Sequence, residues 1–263
     1  MTLISDELAT IALKAGALIM EVYATDFDVS SKDDASPVTE ADEKAEALIL
    51  EALSTLAPEI PVLAEEAVSA GDIPEIGDRF FLVDPLDGTK EFINKRGEFT
   101  VNIALIEHGR PVMGVVFAPA LDRLFVADSV SSAWQAAAKP GADVPPVSER
   151  KPMRIRSAKT GITAIASKSH RTPETDAFLE KFEVSEIIAA GSSLKFCLIA
   201  AGEADLYPRM GRTMEWDTGA GQAVVEAAGG RVLQEDGAPL LYGKTERGYD
   251  NPHFIVYGDV TPV

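Results

Sequence analysis

The hydrophobic period of the chain changes abruptly along its length, and that change limits the folds open to it. Over residues 5–23, Leu8, Ile11, Ala12, Ala15, Leu18, Ile19 and Val22 recur at helical spacing. Over 40–56, Ala45, Leu48, Ile49, Ala52 and Leu53 do the same, with Thr39 and Asp42 placed as a capping pair. From 79 to 138 the period shortens to two. Val101, Ile103 and Leu105 alternate with Thr100, Asn102 and Ala104, as along a strand. Further strands are expected at 80–83, 112–117, 124–127 and 133–137, with a hairpin turn at 107–110. Strands spaced this closely predict an antiparallel sheet, and the two helices must bury their stripes against it.

Residues 26–37 read as a strand followed by a loop. Residues 139–151, with Pro140, Pro145 and Pro146 and no apolar period, mark a boundary. Beyond it strands (163–166, 187–189, 254–257) alternate with helices (175–182, 193–201, 218–228), the last stopping at Gly229-Gly230. The expected organisation is an α+β half over 1–140 and a smaller α/β half over 141–263, joined in one compact unit.

Composition excludes several classes. Of 263 residues, 24 are basic and 42 acidic, a net charge of −18, so polymeric nucleic acid is an unsuitable partner. No apolar run reaches the roughly 20 residues of a membrane span, and the N-terminus lacks the pattern of a signal peptide. Cys197 is the single cysteine, which excludes an internal disulfide and fits a reducing cytoplasm. Attachment to the cytoplasmic face of the inner membrane through a partner stays open, as does the choice between monomer and homodimer.

The segment Val83-Asp84-Pro85-Leu86-Asp87-Gly88-Thr89 ends a buried strand with two carboxylates three residues apart. At about 4 Å and an effective dielectric near 20, two such charges repel by about 4 kcal/mol, so a cation between them is the natural relief. Amides at Gly88 and Thr89 suit a phosphate. Taken alone, Asp-Pro is a turn, Glu65-Glu66 a solvated pair and Asp217 a helix cap. Together Glu65, Asp84, Asp87 and Asp217 form an all-oxygen set suited to Mg²⁺, with Mn²⁺ or Ca²⁺ as competitors, and unsuited to Zn²⁺.

Asp84-Pro85-Leu86-Asp87-Gly88-Thr89 and Trp216-Asp217-Thr218-Gly219-Ala220-Gly221 resemble the two signature motifs of the inositol monophosphatase superfamily. The stretches DPLDGTKEFI, GEFTVNIALIEHG, GSSLKFCLIA and ADLYPR are similar to its branch of bacterial 3′(2′),5′-bisphosphate nucleotidases. The resemblance implies a layered αβαβα sandwich of the sugar phosphatase type and a Mg²⁺-dependent phosphatase sensitive to lithium. Its substrate would be adenosine 3′(2′),5′-bisphosphate, recycled to AMP after sulfate assimilation. By the same resemblance Glu65, Asp84 and the Leu86 carbonyl would hold one Mg²⁺, and Asp84, Asp87 and Asp217 a second. Gly88 and Thr89 would bind the scissile phosphate, while Glu65 and the Thr89 hydroxyl would activate water. Asp42 matches an acidic position near that water and a third, more weakly held ion; its capping role is compatible with this. His170, Ser192, Lys195 and Arg209 match nucleotide-contacting positions, and Lys90 points the same way. Gly219 departs from the Ala usual after the signature Asp-Thr.

Alternatives from the residues alone are an inositol phosphatase or fructose 1,6-bisphosphatase on the same fold, and a non-catalytic metal-dependent binding protein. A haloacid dehalogenase-type phosphatase is disfavoured, because Asp84 and Asp87 are three apart and far from the N-terminus. His108 and His253 have no expected role, and Met153, Met210 and Met214 are expected to pack.

Overall fold

Both helical stripes become helices in the computed structural model, which describes residues 2–27, 29–31, 37–158, 161–166 and 172–263. Helix α1 (Thr2–Tyr23) leads through two short strands, β1 (Val29–Ser31) and β2 (Pro37–Thr39), to helix α2 (Glu40–Leu56). Thr39 and Asp42 close the expected capping box at the start of α2. Strand β3 (Val62–Ala64), helix α3 (Glu65–Ser69), β4 (Arg79–Asp87) and helix α4 (Thr89–Ile93) follow. Strands β5 (Thr100–Glu107), β6 (Arg110–Ala118), β7 (Arg123–Ser129), β8 (Ser132–Ala137) and β9 (Lys151–Pro152) complete a seven-stranded sheet in sequence order.

That sheet is antiparallel except at one edge, where β3 and β4 run parallel. The chain crosses between them through α3 instead of a hairpin. The expected turn at 107–110 is present, with His108 at φ 50° and Gly109 at φ 74°.

The second half contributes β10 (Ile162–Ala166), α5 (Pro173–Leu179), β11 (Val184–Ala189), α6 (Leu194–Ala200), β12 (Leu206–Arg209), α7 (Gly219–Ala227), β13 (Arg231–Gln234) and β14 (Phe254–Tyr257). Its five strands lie in the order β11-β10-β12-β14-β13. The strands at β12 and β13 were not legible in the sequence: each is four residues long, and β12 contains Pro208.

The alternation along β5 does not separate core from solvent. Val101, Ile103 and Leu105 bury against α1 and α2, while Ala104 and Ile106 bury against α6 and α7. Two cores therefore share one sheet, and a third lies between α5 and the outer face of the five-stranded sheet. The layers run α1/α2, large sheet, α6/α7, small sheet, α5, the αβαβα order expected from the resemblance. Met153 packs in the α6/α7 core and Met210 in the outer one, with Met214 at the margin.

Small residues set the central spacing. A Cβ on Gly114 of β6 would sit 2.7 Å from the Ala220 carbonyl oxygen, and one on Gly221 would sit 2.7 Å from the Phe196 ring. Helix α7 lies close against both neighbours because it presents glycine and alanine to each. Gly219 belongs to this surface, since its Cβ would come within 3.0 Å of Leu82.

Candidate active site

Strand β4 arrives at the site with an irregularity. Asp84 pairs with Asn102 and Asp87 with Thr100, so three steps on β4 oppose two on β5. Pro85 has no N–H to give to the ladder and sits in this bulge, the place an interior strand tolerates it. The bulge brings both carboxylates to the strand's end. Asp84 is buried and accepts the Leu86 N–H at 3.0 Å. The Leu86 side chain enters the α1/α2 core, leaving only its backbone for the site. Gly88 turns the chain at φ 93°, and a side chain there would crowd the Glu98 carbonyl at 3.2 Å.

Thr89 opens α4, and its hydroxyl stands between the Asp42 Oδ1 at 3.2 Å and the Leu86 carbonyl at 3.3 Å. The other Asp42 oxygen accepts the Thr39 N–H at 2.8 Å and hydroxyl at 2.7 Å. One buried carboxylate thus caps α2, as expected, and also accepts the Thr89 hydroxyl. Glu65 begins α3 at the end of β3. The helix is fastened by Glu46, which accepts the Glu66 N–H at 2.8 Å and the Ala67 N–H at 2.7 Å. Glu46 was missed in the sequence, although a carboxylate in phase with Asp42, Ile49 and Leu53 on a buried helical stripe is a readable signal.

Asp217 does not cap α7; Thr218 occupies that position, and the Asp217 Oδ2 accepts the Met214 N–H at 2.8 Å. Asp87 accepts the Ser192 hydroxyl at 2.7 Å and the Ser193 N–H at 2.6 Å. Burial, then the charges of Glu65, Asp87 and Asp217, pushes Asp84 well above the usual carboxylate range. Burial, then Asp87 and Glu65, does the same to Asp217 against the opposing Met214 N–H.

A cleft of about 640 Å³ is lined by Glu65, Asp87, Thr89 and Asp217 together with Lys195, Tyr207 and Arg209, and Lys195 and Arg209 lie near enough to feel the charges of Asp87 and Asp217. Gly88, Lys90 and Ser192 also line it, whereas Asp42, Asp84 and the Leu86 side chain lie behind its wall. Lys195 is buried, which lowers its ammonium to about 8; nearby Arg209 adds to this, and Asp87, Glu91 and Glu98 oppose it. Its Nζ lies 5.5 Å from the Tyr207 ring centre. Tyr207 both packs in the core and faces the cleft. Arg209 donates to the Arg212 carbonyl at 3.0 Å, while its Nε is buried without a hydrogen-bond partner among the described residues. His170 lies outside the described residues. His108 faces Asp78 at 3.6 Å and His253 faces Glu235 at 3.1 Å, both away from the cleft lining.

The donor set suits a hard divalent cation. Four carboxylates crowd one another, burial disfavours the charge of Asp84 and Asp217, and oxygen-seeking Mg²⁺ relieves both effects. Among the described residues no three such side chains form a ready-made cage. The fit rests on donor chemistry and on this mutual repulsion.

The layered fold and one cleft lined by both carboxylates and cations are those of a phosphatase of the sugar phosphatase type. A family model, the inositol monophosphatase family, matches residues 3–254, and the chain belongs to that family. Phosphatases of this family depend on a metal ion, typically Mg²⁺. A 3′(2′),5′-bisphosphate nucleotidase CysQ from Escherichia coli is 45% identical over 253 residues, covering 95% of this chain and 98% of the relative. The crystal structure of CysQ from Bacteroides thetaiotaomicron matches with TM-score 0.79 and 40% identity over 98% of each chain. An IMPase from Thermotoga maritima matches with TM-score 0.75 and 25% identity, covering 96% of this chain and 91% of that one. Among the described residues no helix is long and apolar enough to cross a membrane.

Proposed function

We propose that this chain removes the 3′(2′)-phosphate of adenosine 3′(2′),5′-bisphosphate, giving AMP and phosphate, with Mg²⁺ as cofactor. The observation that carries the reading is one cleft lined both by carboxylates and by Lys195 and Arg209. A nucleotide with two phosphates needs both kinds of group, one for the phosphate that leaves and one for the phosphate that stays. Relatives named for that activity, 45% identical across most of the chain, support it. The setting is the recycling of the bisphosphate left by sulfate assimilation.

Glu65, Asp84 and the Leu86 carbonyl would hold one Mg²⁺, and Asp84, Asp87 and Asp217 a second, with a weaker third near Asp42. Bound there, Mg²⁺ supplies charge neutralisation and polarisation of the phosphate oxygens. The chain's own groups do the rest. Backbone amides of Gly88 and Thr89 bind the scissile phosphate. The Thr89 hydroxyl, held by Asp42, orients the attacking water, and Glu65 accepts its proton. Lys195 and Arg209, aided by His170, hold the remaining phosphate by charge-assisted hydrogen bonds. Ser192 serves here through Asp87, since its hydroxyl is already donated to that carboxylate.

Phosphate release from adenosine 3′,5′-bisphosphate and from inositol 1-phosphate, each with Mg²⁺ and with chelator, tests the reading. Chelator-sensitive release that is much faster from the nucleotide is expected. Faster release from inositol 1-phosphate would overturn the substrate assignment, and no metal-dependent release from the nucleotide would overturn the activity.

A further inference from the structure

Asp87 and Asp217 come from different layers, yet a short chain of hydrogen bonds joins them. Ser193, in the turn before α6, gives its backbone N–H to the Asp87 Oδ2 at 2.6 Å and its hydroxyl to the Asp217 carbonyl at 2.6 Å. The Ser193 hydroxyl in turn accepts from the Asn102 amide at 3.1 Å. Asn102 and Thr100 are both fully buried in β5, directly across the ladder from Asp84 and Asp87. The Thr100 hydroxyl lies 3.0 Å from the Asn102 Oδ1 and also contacts the Ser192 hydroxyl, which donates to Asp87. Ser192 accepts a left-handed backbone, φ 54°, to make this turn.

We propose that Ser193 and Asn102 are positioning residues that fix the separation of Asp87 from Asp217, and through it the affinity of the site for a divalent cation. The inference rests on the reading of those two carboxylates as metal ligands. An amide side chain carries a separate acceptor and donor, so Asn102 can accept from Thr100 and still present an N–H to Ser193. That N–H occupies a lone pair of the Ser193 oxygen and leaves its proton to point at the Asp217 carbonyl. Neither side chain needs to touch substrate. A large sheet strand, the α6 turn and the α7 entry are thereby held at one spacing, where three loops alone would let it drift.

Direct Mn²⁺ binding, read as loss of the free-ion electron paramagnetic resonance signal, tests this without substrate. Ser193→Ala deletes one oxygen and keeps the N–H to Asp87, so it is the variant expected to fold; Asn102→Ala is the second. Each should weaken Mn²⁺ binding about tenfold and raise the Mg²⁺ midpoint for turnover by the same factor, with the nucleotide KM at saturating Mg²⁺ within twofold. The double variant should be no weaker than the single ones, because both act on one carbonyl. Ser193→Ala that folds and binds Mn²⁺ like the parent overturns the proposal, as do additive losses in the double variant. A parent protein that binds no Mn²⁺ overturns the metal-site reading itself, a separate outcome.

Discussion

The two sheets equip the cleft by different means. The seven-stranded sheet supplies three of the four carboxylates from within: β4 carries Asp84 and Asp87 on a bulge, β3 hands over to Glu65, and backbone and side-chain partners bond several of these groups. The five-stranded sheet supplies cations from its rim. Arg209 ends β12 and Lys195 stands in the first turn of α6, the first half-buried with an Nε that has no hydrogen-bond partner among the described residues and the second buried beneath an aromatic ring. The carboxylates are thus held by bonds made before any ligand arrives, while Arg209 keeps a donor in reserve. Chemistry common to a family belongs on the first kind of support, and recognition of one substrate on the second.

The largest expected effect is among the carboxylates. Asp87→Asn should bring metal-dependent phosphate release to background with the thermal midpoint nearly kept, measured by release assay and calorimetry. Retained turnover would break the contrast at once. Next is the internal brace of the small sheet. Asp205 is almost wholly buried and receives the Arg156 guanidinium at 2.8 and 2.6 Å and the Thr163 N–H at 2.8 Å. Arg156→Ala should cost about 3 kcal/mol in urea unfolding, since it strands a buried carboxylate.

The same pair gives a pH signature. Burial raises the Asp205 carboxyl, but the Arg156 and Thr163 bonds outweigh it and hold the group below its ordinary value. A depressed folded-state value stabilises the fold above the unfolded carboxyl's pKa of about 3.9 and loses that contribution as pH falls through the folded value. Unfolding midpoints of Asp205→Asn should therefore fall less steeply than the parent's below about pH 4; equal slopes would refute the pairing.

Among the cations, Arg209→Ala should raise the nucleotide KM roughly thirtyfold, about 2 kcal/mol, with kcat changed far less. A fall in kcat with KM unchanged would place Arg209 with the acidic group and blur the comparison. Gly114→Ala probes the seam where α7 meets the large sheet and should cost about 2 kcal/mol by overpacking, whereas Gly77→Ala, with open space around it, should be near neutral. The smallest effect is at the α2 cap, where Thr39→Ala should cost about 1 kcal/mol in thermal unfolding.

How much of this was legible follows the same division. The helix α2 was readable to its bounds, because Thr39, Asp42 and the stripe through Leu53 are local signals. The carboxylates were readable because signature motifs place them at ends of elements. The parallel β3–β4 pair was not, since strand direction depends on where a crossover lies and no residue of 62–64 records it. Asn102 and Ser193 work through partners 24 to 106 positions away, and no local spacing encodes such bonds. Taken alone Asp217 would read as a cap because Asp before a helix usually is one, but Thr218 takes that place here.

The double burial of β5 also bears on how the molecule can change. Odd-numbered Val101, Ile103 and Leu105 fill one core, and even-numbered Ala104 lies beneath Gly219, whose Cβ would be 3.3 Å away. A slip of one residue would put an isoleucine or leucine under α7, where even a methyl group is tight. Misregistered chains are thereby rejected as they fold, without needing exposed apolar surface to betray them. The same intolerance makes this strand a poor place for insertions, and leaves the turns of the smaller sheet as the ground on which new substrate preferences can be tried.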